Sequence, residues 1–412
     1  MTILAPSGLG APYRYLLLSS AVSTLGDGLR FAALPLLAAV LLDSPVQVAA
    51  VTAMTTVPWL LLGLPAGAWA DRVDRVRMMV VADVLRAVTL VVAVLLLLTG
   101  ALGFVPLLVV AFLLGVGEVM FDCASFAVLP ALVPADRLET ANGRLFTVQT
   151  VSRDLLGHLL GGLLYTVGRV LPLVVDAVSF VVSAALLNRL PATRAATTDR
   201  RGGLWRDIVE GVRHLAGDRL LATLTLTGGV INAVYLGQVA ILVLLVRDVL
   251  GLGPTGYAMV LAVGALGGVV GGLVADRVVA AFGRTAVLLG GLALMGVSGL
   301  GLAAGSVVTV VGGYAAMGFG LMLWNVVAVS LRQSLVPVHL LGRTIGAYRL
   351  VAWGTMPAGA VAFGALADAW GTAVTFGVGG GCVLLVAVVV APLLAGDRRL
   401  RKDPVTGGGR HV

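Results

Sequence analysis

Ionisable side chains lie inside apolar segments in the first half of the chain, and nine of them are candidates for proton transfer or ion pairing. A charged residue at the centre of a bilayer costs about 2.5–3.5 kcal/mol on insertion scales, so such residues usually face a polar cavity or one another. A carboxyl group in such a place can gain or lose a proton and so couple a conformational change to a proton gradient. The nine residues are Asp27, Arg30, Asp83, Arg86, Glu118, Asp122, Arg153, Asp154 and His158.

Two of these carboxylates share one face of a helix. Glu118 and Asp122 are four residues apart, and two like charges at this spacing disfavour double ionisation. We therefore predict that Glu118 is the acid that couples transport to protons. Asp122 is predicted to be the partner of a gate arginine.

The remaining pairs each allow two interpretations. Asp27 and Arg30, three residues apart, form either a cavity pair that exchanges partners with a substrate or a proton, or a structural pair that fixes two helices with Arg153 or Asp154. Asp154 and His158 share a face, and a histidine titrates in the useful range, which permits a proton relay. The alternative for His158 is ordinary packing.

The composition defines the elements that must position these residues. Hydrophobic residues make up 59% of the 412 residues and charged residues only 12%, about half the charged share of a soluble protein. A soluble enzyme, a nucleic-acid-binding protein and a disordered chain are excluded. The sequence predicts an all-α polytopic membrane protein with twelve spans, at 15–41, 46–69, 78–98, 104–130, 144–167, 171–188, 220–246, 255–275, 285–304, 307–331, 343–367 and 372–395.

A polar segment of about 30 residues, 189–219, divides the chain near its middle and contains seven arginines. Its apolar residues from Leu204 to Leu215 recur at helical spacing. They predict an amphipathic helix that lies on the membrane surface or packs on its own bundle. The expected domains are an N-terminal bundle at 1–190, a basic linker at 191–219, a C-terminal bundle at 220–395 and a tail at 396–412.

The distribution of basic residues predicts the orientation. With the N-terminus inside, the cytoplasmic segments hold 22 arginines and lysines, whereas the outer loops hold only Arg169 and Arg247. Because positive residues accumulate on the cytoplasmic side, both termini are predicted to be cytoplasmic, in a multi-pass protein of the cell membrane.

The two halves are related by an internal repeat. The segment GAWADRV at 67–73 returns as GLVADRV at 272–278, and residues 115–134 align without a gap on residues 318–337. At the equivalent positions Asp27 becomes Asn232, and Asp122 becomes Asn325. The fold predicted is two pseudo-symmetric six-helix bundles, with the protonatable groups kept in the first.

These features resemble the major facilitator superfamily, whose loop motif G-x-x-x-D-R-x-x-R is matched by Gly67, Asp71, Arg72 and Arg75. The Ser23–Asp27 segment, Asp83 with Arg86, and VDAVSF at 175–180 are similar to the drug:proton antiporter-3 branch, which includes enterobactin and macrolide exporters. Asp74 stands where many members have glycine. The resemblance covers the whole chain and implies the major facilitator fold.

The resemblance also implies roles for two groups of residues. One is a cytoplasmic latch, in which an aspartate faces the positive end of the span 11 helix dipole; its residues are Gly67, Asp71, Arg72, Arg75, Asp83 and Arg86. The other is a substrate cavity lined by uncharged and aromatic groups that suit bulky compounds; its residues are Asn232, Tyr235, Gln238, Trp324, Asn325 and Arg349.

The function expected is proton-coupled export of a bulky, partly apolar small molecule by alternating access. The alternatives are a proton-coupled or facilitated importer of a small nutrient, or a membrane sensor that transports nothing. We expect no catalytic residues, no metal, no cofactor and no nucleic-acid partner. The partners expected are the substrate, protons and the lipid bilayer, for a protein that acts as a monomer.

Overall fold

The computed structural model describes residues 10–70, 73–191 and 204–401, and within them every regular element is a helix. Val151–Gly157 and Leu245–Val249 are π-helical, and Ala135–Arg137 is a single 3₁₀ turn. The α-helices are α1 Gly10–Leu41, α2 Pro45–Ala70, α3 Arg75–Leu98, α4 Phe104–Leu132, α5 Leu138–Thr150, α6 His158–Val167, α7 Leu171–Leu187, α8 Leu204–Gly217, α9 Arg219–Leu244, α10 Pro254–Ala303, α11 Val307–Leu335, α12 Val338–Trp370, α13 Thr372–Gly396 and α14 Arg398–Arg401.

The prediction of a polytopic helical membrane protein is confirmed. Among the described residues, nine helices are long and apolar enough to cross a membrane. One of them, α10, has 50 residues and is interrupted at Gly283, whose φ of 78° and ψ of 160° are not helical. A glycine tolerates this left-handed backbone because it has no Cβ.

The number twelve stays a prediction. Gly283 divides α10 at the place where the sequence predicts the boundary between the spans at 255–275 and 285–304. Two further predicted spans correspond to α5, the first π-helical segment and α6, which follow one another without a break, and to α7, which has 17 residues.

The chain forms two compact units. Unit 1 comprises the described part of Met1–Arg201 with Val239–Ala262 and Pro357–Asp368, and unit 2 comprises the rest of the described chain. Short parts of α9, α10 and α12 thus pack with the N-terminal helices. The division into six-helix bundles at 1–190 and 220–395 stays a prediction.

Helix α1 lies at the centre of unit 1. It packs on α7, on the π-helical segment Val151–Gly157 and on α6, while α4 packs on α2 and α3. Twenty of its 32 residues are buried, including Ser23, Asp27 and Arg30. The buried polar groups of such a helix need partners, and neighbouring helices can supply them.

In unit 2, the linker helix α8 packs on its own unit. The Glu210 carboxylate lies 2.5 Å from the Arg343 guanidinium of α12, and a Cβ at Gly211 would lie 2.4 Å from the Arg343 carbonyl oxygen. Leu215 is buried against Leu221 and Ala347. The structure therefore supports the second alternative for this amphipathic helix, packing on its own bundle.

The start of α9 is joined to the end of the described chain. The guanidinium of Arg399 hydrogen-bonds the Asp218 carboxylate at 2.5 and 3.1 Å, and Asp397 accepts from the same group. These hydrogen bonds hold the pKa of the Asp218 carboxyl below its usual range. The carboxylate of Asp218 also accepts from the backbone amides of Leu220 and Leu221 and so caps α9.

Candidate functional site

Six of the nine buried ionisable residues meet in unit 1, around Asp27 on α1. The Asp27 carboxylate lies 2.9 Å from Arg30, 3.2 Å from Arg86 of α3 and 3.7 Å from Arg153 of the π-helical segment. We call this cluster the charge network. Its members are Asp27, Arg30, Asp83, Arg86, Glu118, Arg153 and Asp176.

Three further carboxylates surround this centre. Asp83 lies 2.5 Å from Arg86, and Glu118 lies 3.3 Å from Arg30 and 3.7 Å from Arg153. Asp176 of α7 makes a single ion pair within the described residues, since its Oδ2 lies 3.7 Å from the Arg30 Nε and accepts no hydrogen bond there. Charge-assisted hydrogen bonds are usually shorter, at about 2.7–2.9 Å.

The network contains four carboxylates and three guanidinium groups, so one carboxylate is in excess when all are ionised. Asp83 and Asp176 are fully buried, and Asp27 is 4% exposed. The Glu118 side chain is 19% exposed, and that of its partner Arg153 is 31% exposed. Glu118 is thus the carboxylate of the network that water reaches most readily.

Aromatic rings and a glycine hold Arg86 in place. Its guanidinium carbon lies 4.2 Å from the ring centroid of Phe180 and 4.8 Å from that of Phe121, which is within the range of cation–π attraction. Ser23 accepts a hydrogen bond from it at 3.2 Å. A Cβ at Gly117 would lie 2.5 Å from the Arg86 Cγ, so the stem of Arg86 requires a glycine on α4.

Two glycines of α1 let the neighbouring elements reach the network. A Cβ at Gly26 would lie 2.2 Å from the Oδ1 of Asp176, and one at Gly28 would lie 2.2 Å from the Arg153 carbonyl oxygen. Gly157 meets the same surface, since its Cβ would lie 2.6 Å from the Gly28 Cα. The close approach of α1 to α7 and to the π-helical segment depends on these small residues.

We expect Gly28→Ala to destabilise the protein by about 1–3 kcal/mol, the usual cost of forcing a methyl group into a packed contact. The obstacle is the Arg153 backbone, which cannot rotate away as a flexible side chain could. Thermal unfolding of the purified protein in detergent measures the effect. The matched control is Gly63→Ala, whose Cβ would lie 3.9 Å from Trp59. Equal melting temperatures for the two variants would contradict the predicted clash.

The other three predicted acid–base residues lie outside the ion pairs of the network. Within the part of the chain that the structure describes, Asp122 and Asp154 make no ion pair. The His158 ring stacks on Phe31 of α1, with 4.9 Å between centroids. This contact favours the packing alternative for His158.

The structure describes four of the six residues predicted for the cytoplasmic latch, and the latch itself stays a prediction. Gly67 lies in the last turn of α2, and Asp71 and Arg72 lie outside the described residues. Arg75 begins α3 and donates to the Ala127 carbonyl of α4 at 2.8 Å. Asp83 and Arg86 instead belong to the charge network.

Asp74, the departure from the family motif, has a structural role. Its carboxylate accepts hydrogen bonds from the backbone amides of Val76 and Arg77, at 2.9 and 3.2 Å. It is therefore the N-cap of α3.

The residues predicted to line a substrate cavity have different environments in unit 2. Gln238 and Trp324 are buried, whereas Tyr235 and Asn325 are half-buried. The Asn232 amide donates to the Ala352 carbonyl at 3.0 Å. Arg349 is exposed, and its guanidinium lies 5.2 Å from the Trp353 ring.

Sequence reasoning missed two buried charged residues. Asp176 was noticed only as part of the VDAVSF motif, although an aspartate between apolar residues of a predicted span is itself a signal. Arg332 directly follows the predicted span at 307–331, so the sequence predicts it in a cytoplasmic loop. It lies in the last turn of α11, 5% exposed, and its guanidinium carbon is 3.5 Å from the Tyr348 ring centroid.

Solved structures show what class of protein has this fold. The nucleoside transporter NupG superposes with a TM-score of 0.77 at 11% identity, covering 94% of this chain and all of the other. A bacterial homologue of the iron transporter ferroportin superposes with a TM-score of 0.75 at 20% identity, covering 93% and 98%. The protein has the major facilitator fold of membrane transporters.

Residues 2–401 match the transmembrane secretion effector family, and the chain belongs to this family. It is similar to the multidrug efflux pump Tap of Mycolicibacterium fortuitum, with 27% identity over 89% of this chain and 91% of the relative. It is also similar to macrolide efflux protein A of Streptococcus pyogenes, with 23% identity over 83% and 86%. The resemblance to exporters of the major facilitator superfamily is confirmed.

Proposed function

We propose that this transporter exports bulky, partly apolar small molecules in exchange for protons. The charge network carries the proposal, because it joins a water-accessible carboxylate to buried arginines from several helices. The relatives named as a multidrug efflux pump and a macrolide efflux protein support the substrate class.

Glu118 is the proton-coupling residue in this proposal. When ionised, it attracts Arg30 on α1 and Arg153 on the π-helical segment, at 3.3 and 3.7 Å. Protonation of Glu118 removes this attraction and leaves Arg30 to Asp27 and Asp176, and Arg153 to Asp27. Because Arg30 and Arg153 lie on different elements, the change in partners alters the free energy of packing α4 against both. A proton thus changes the relative stability of two arrangements of the helices, as coupling requires.

The orientation in this proposal places both termini in the cytoplasm of a cell-membrane protein, as the 22 basic residues of the corresponding loops favour. The latch formed by the Gly67–Arg75 motif then closes the cytoplasmic side. Arg75, which holds the end of α4 through the Ala127 carbonyl, links this latch to the helix that carries Glu118.

The substrate in this proposal contacts polar and aromatic groups of the C-terminal half. Asn232, Tyr235 and Asn325 are half-buried and so are the better candidates among the predicted cavity residues. Trp324, which is 1% exposed, supports the packing of α11 instead. The asymmetry separates proton binding in one half from substrate binding in the other.

The driving force is sufficient for one proton per substrate. A proton moving down 100 mV releases about 2.3 kcal/mol, and one pH unit adds about 1.4 kcal/mol. The total of about 3.7 kcal/mol sustains a concentration ratio of several hundred for an uncharged substrate.

The test is transport by purified protein in liposomes with an imposed pH gradient. We expect a macrolide to move in the direction opposite to the proton flow, and to move faster with the pH gradient than without it. A protonophore should abolish this difference in rate. In cells that express the protein, a protonophore should restore macrolide accumulation. Equal transport with the gradient present, absent or reversed would exclude antiport and leave a facilitator, and movement together with the protons would indicate an importer.

A further inference from the structure

A cavity lies in unit 1, away from the charge network. It has a volume of about 510 Å³ and is lined by the end of α1, the end of α6 and the following turn, the end of α9 and the start of α10. Along α1, Ala39 in its wall follows Arg30 of the network by nine residues, or about 13 Å of helix. A volume of this size is in the range of ligand-binding pockets.

Most of the cavity wall is apolar, and apolar side chains continue outside its mouth. Leu36, Val40, Val246 and Leu252 line it. Val40 is 44% exposed, and the neighbouring Val167 and Val249 are 78% and 46% exposed. These exposed apolar side chains beside the cavity are suited to contact with the acyl chains of a membrane.

The two basic residues of the predicted outer loops both line this one cavity. The positive-inside rule disfavours arginine on this side, so topology does not explain their presence. Arg247 is already satisfied, because it donates to the Ala39 carbonyl and to the Asp248 carboxylate. Arg169 is exposed and makes no hydrogen bond or ion pair with any residue that the structure describes.

Tyr165 adds a second polar group without a partner. The residue is 7% exposed, its ring lies in the cavity wall, and its hydroxyl makes no hydrogen bond within the described residues. Arg169 and Arg247 line the same cavity as Tyr165. A guanidinium and a phenol beside an apolar wall are suited to a ligand with an anionic head and an apolar tail.

We propose that this cavity binds an anionic phospholipid of the adjoining leaflet. The phosphate pairs with Arg169, which can form two parallel hydrogen bonds with phosphate oxygens, and the acyl chains lie along the apolar wall beside Val40. Such a lipid would bridge the ends of α1, α6 and α10. The site does not depend on the direction or the driving force of transport.

The test uses the purified full-length protein in detergent, with thermal unfolding followed during titration with phosphatidylglycerol. We expect a saturable rise in Tm, a smaller rise with phosphatidylcholine of the same chains, and none with glycerol 3-phosphate. Arg169→Gln should require about tenfold more phosphatidylglycerol for the half-maximal rise in Tm, which corresponds to a loss of about 1.4 kcal/mol of binding free energy. Arg169→Lys keeps the positive charge and should require less lipid than Arg169→Gln.

Two further variants make the test specific. Arg189→Gln removes an exposed arginine elsewhere in unit 1 and should leave the titration within twofold of wild type. Val40→Trp should fill the apolar part of the cavity and weaken binding although Arg169 is intact. Equal responses to the two lipids, or equal effects of the Arg169→Gln and Arg189→Gln variants, would overturn the proposal. A full response to glycerol 3-phosphate would show a site for free phosphate instead.

Discussion

We expect Glu118→Gln to abolish transport driven by a pH gradient while the protein stays folded. Glutamine has the shape of a protonated glutamate but cannot release a proton, so the exchange of arginine partners around this side chain would stop. The side chain is 19% exposed, and the oxygen of a neutral amide can still accept the 3.3 Å hydrogen bond from Arg30. The loss should be at least about 100-fold in the gradient-driven rate, at the lower end of what acid–base groups contribute to catalysed reactions.

The measurement is macrolide transport in liposomes with and without an imposed pH gradient, together with substrate-induced proton flux. Substrate binding by Glu118→Gln should remain close to wild type. Asp122→Asn is the matched control, since Asp122 lies one turn further along α4 and forms no ion pair within the described residues. Proton flux at the wild-type rate in Glu118→Gln would move the coupling role to another carboxylate. Loss of proton flux in both variants would show that transport requires both negative charges on α4, and not Glu118 in particular.

Helix positions were predictable because a lipid bilayer permits few kinds of backbone structure. Backbone polar groups in a bilayer must be hydrogen-bonded within the segment, so an apolar run of sufficient length is a helix. The predicted span at 104–130 is observed as Phe104–Leu132, and that at 372–395 as Thr372–Gly396. Predicted ends differ where a helix continues into the polar boundary, as at α12, which begins at Val338 rather than at residue 343.

The partners of the charged residues were less predictable. Asp27 and Arg30, three residues apart on one helix, form an ion pair that their spacing permits. The contact of Arg86 with Asp27 instead crosses between helices and depends on how α1 and α3 are rotated. The π-helical segment at Val151–Gly157 changes the direction of Arg153 and Asp154, which a regular helix of 3.6 residues per turn places differently. No periodicity in the sequence carries this information.

The roles of glycine show the same limit. Gly28 and Gly117 are two of 55 glycines in the chain. A high glycine content indicates close helix packing, but it does not show which glycine contacts which neighbouring helix. The structure shows that Gly28 admits the Arg153 backbone and that Gly117 admits the Arg86 stem. The network is therefore specified by small residues as much as by charged ones.

We expect Asp27→Asn to destabilise unit 1 far more than Asp176→Asn does. Asp27 is the common partner of Arg30, Arg86 and Arg153, and the first two of these guanidinium groups are 5% and 1% exposed. Removing one partner of a buried ion pair costs about 3–5 kcal/mol, because the remaining charge is left without compensation. Asp27→Asn leaves three carboxylates for three arginines, but it removes the one that contacts all three.

Asp176→Asn leaves the same number of carboxylates and keeps Asp27 at the centre. Asp176 contacts only Arg30 among the arginines, at 3.7 Å, and asparagine can still accept the 3.4 Å hydrogen bond from the Ser179 hydroxyl. The expected cost is about 1 kcal/mol, that of one ordinary hydrogen bond. The two variants make the same chemical change at buried positions, so their difference measures the central position of Asp27 rather than the loss of one negative charge.

Thermal unfolding in detergent and the yield of folded protein after extraction from membranes measure both effects. We expect Asp27→Asn to yield little folded protein and Asp176→Asn to unfold within a few degrees of wild type. Such a result would favour the structural interpretation of the Asp27–Arg30 pair over partner exchange during transport. If Asp27→Asn is as stable as Asp176→Asn but inactive, Asp27 instead takes part in coupling, and Arg30 and Arg86 must be held by Glu118, Asp83 and Asp176 alone.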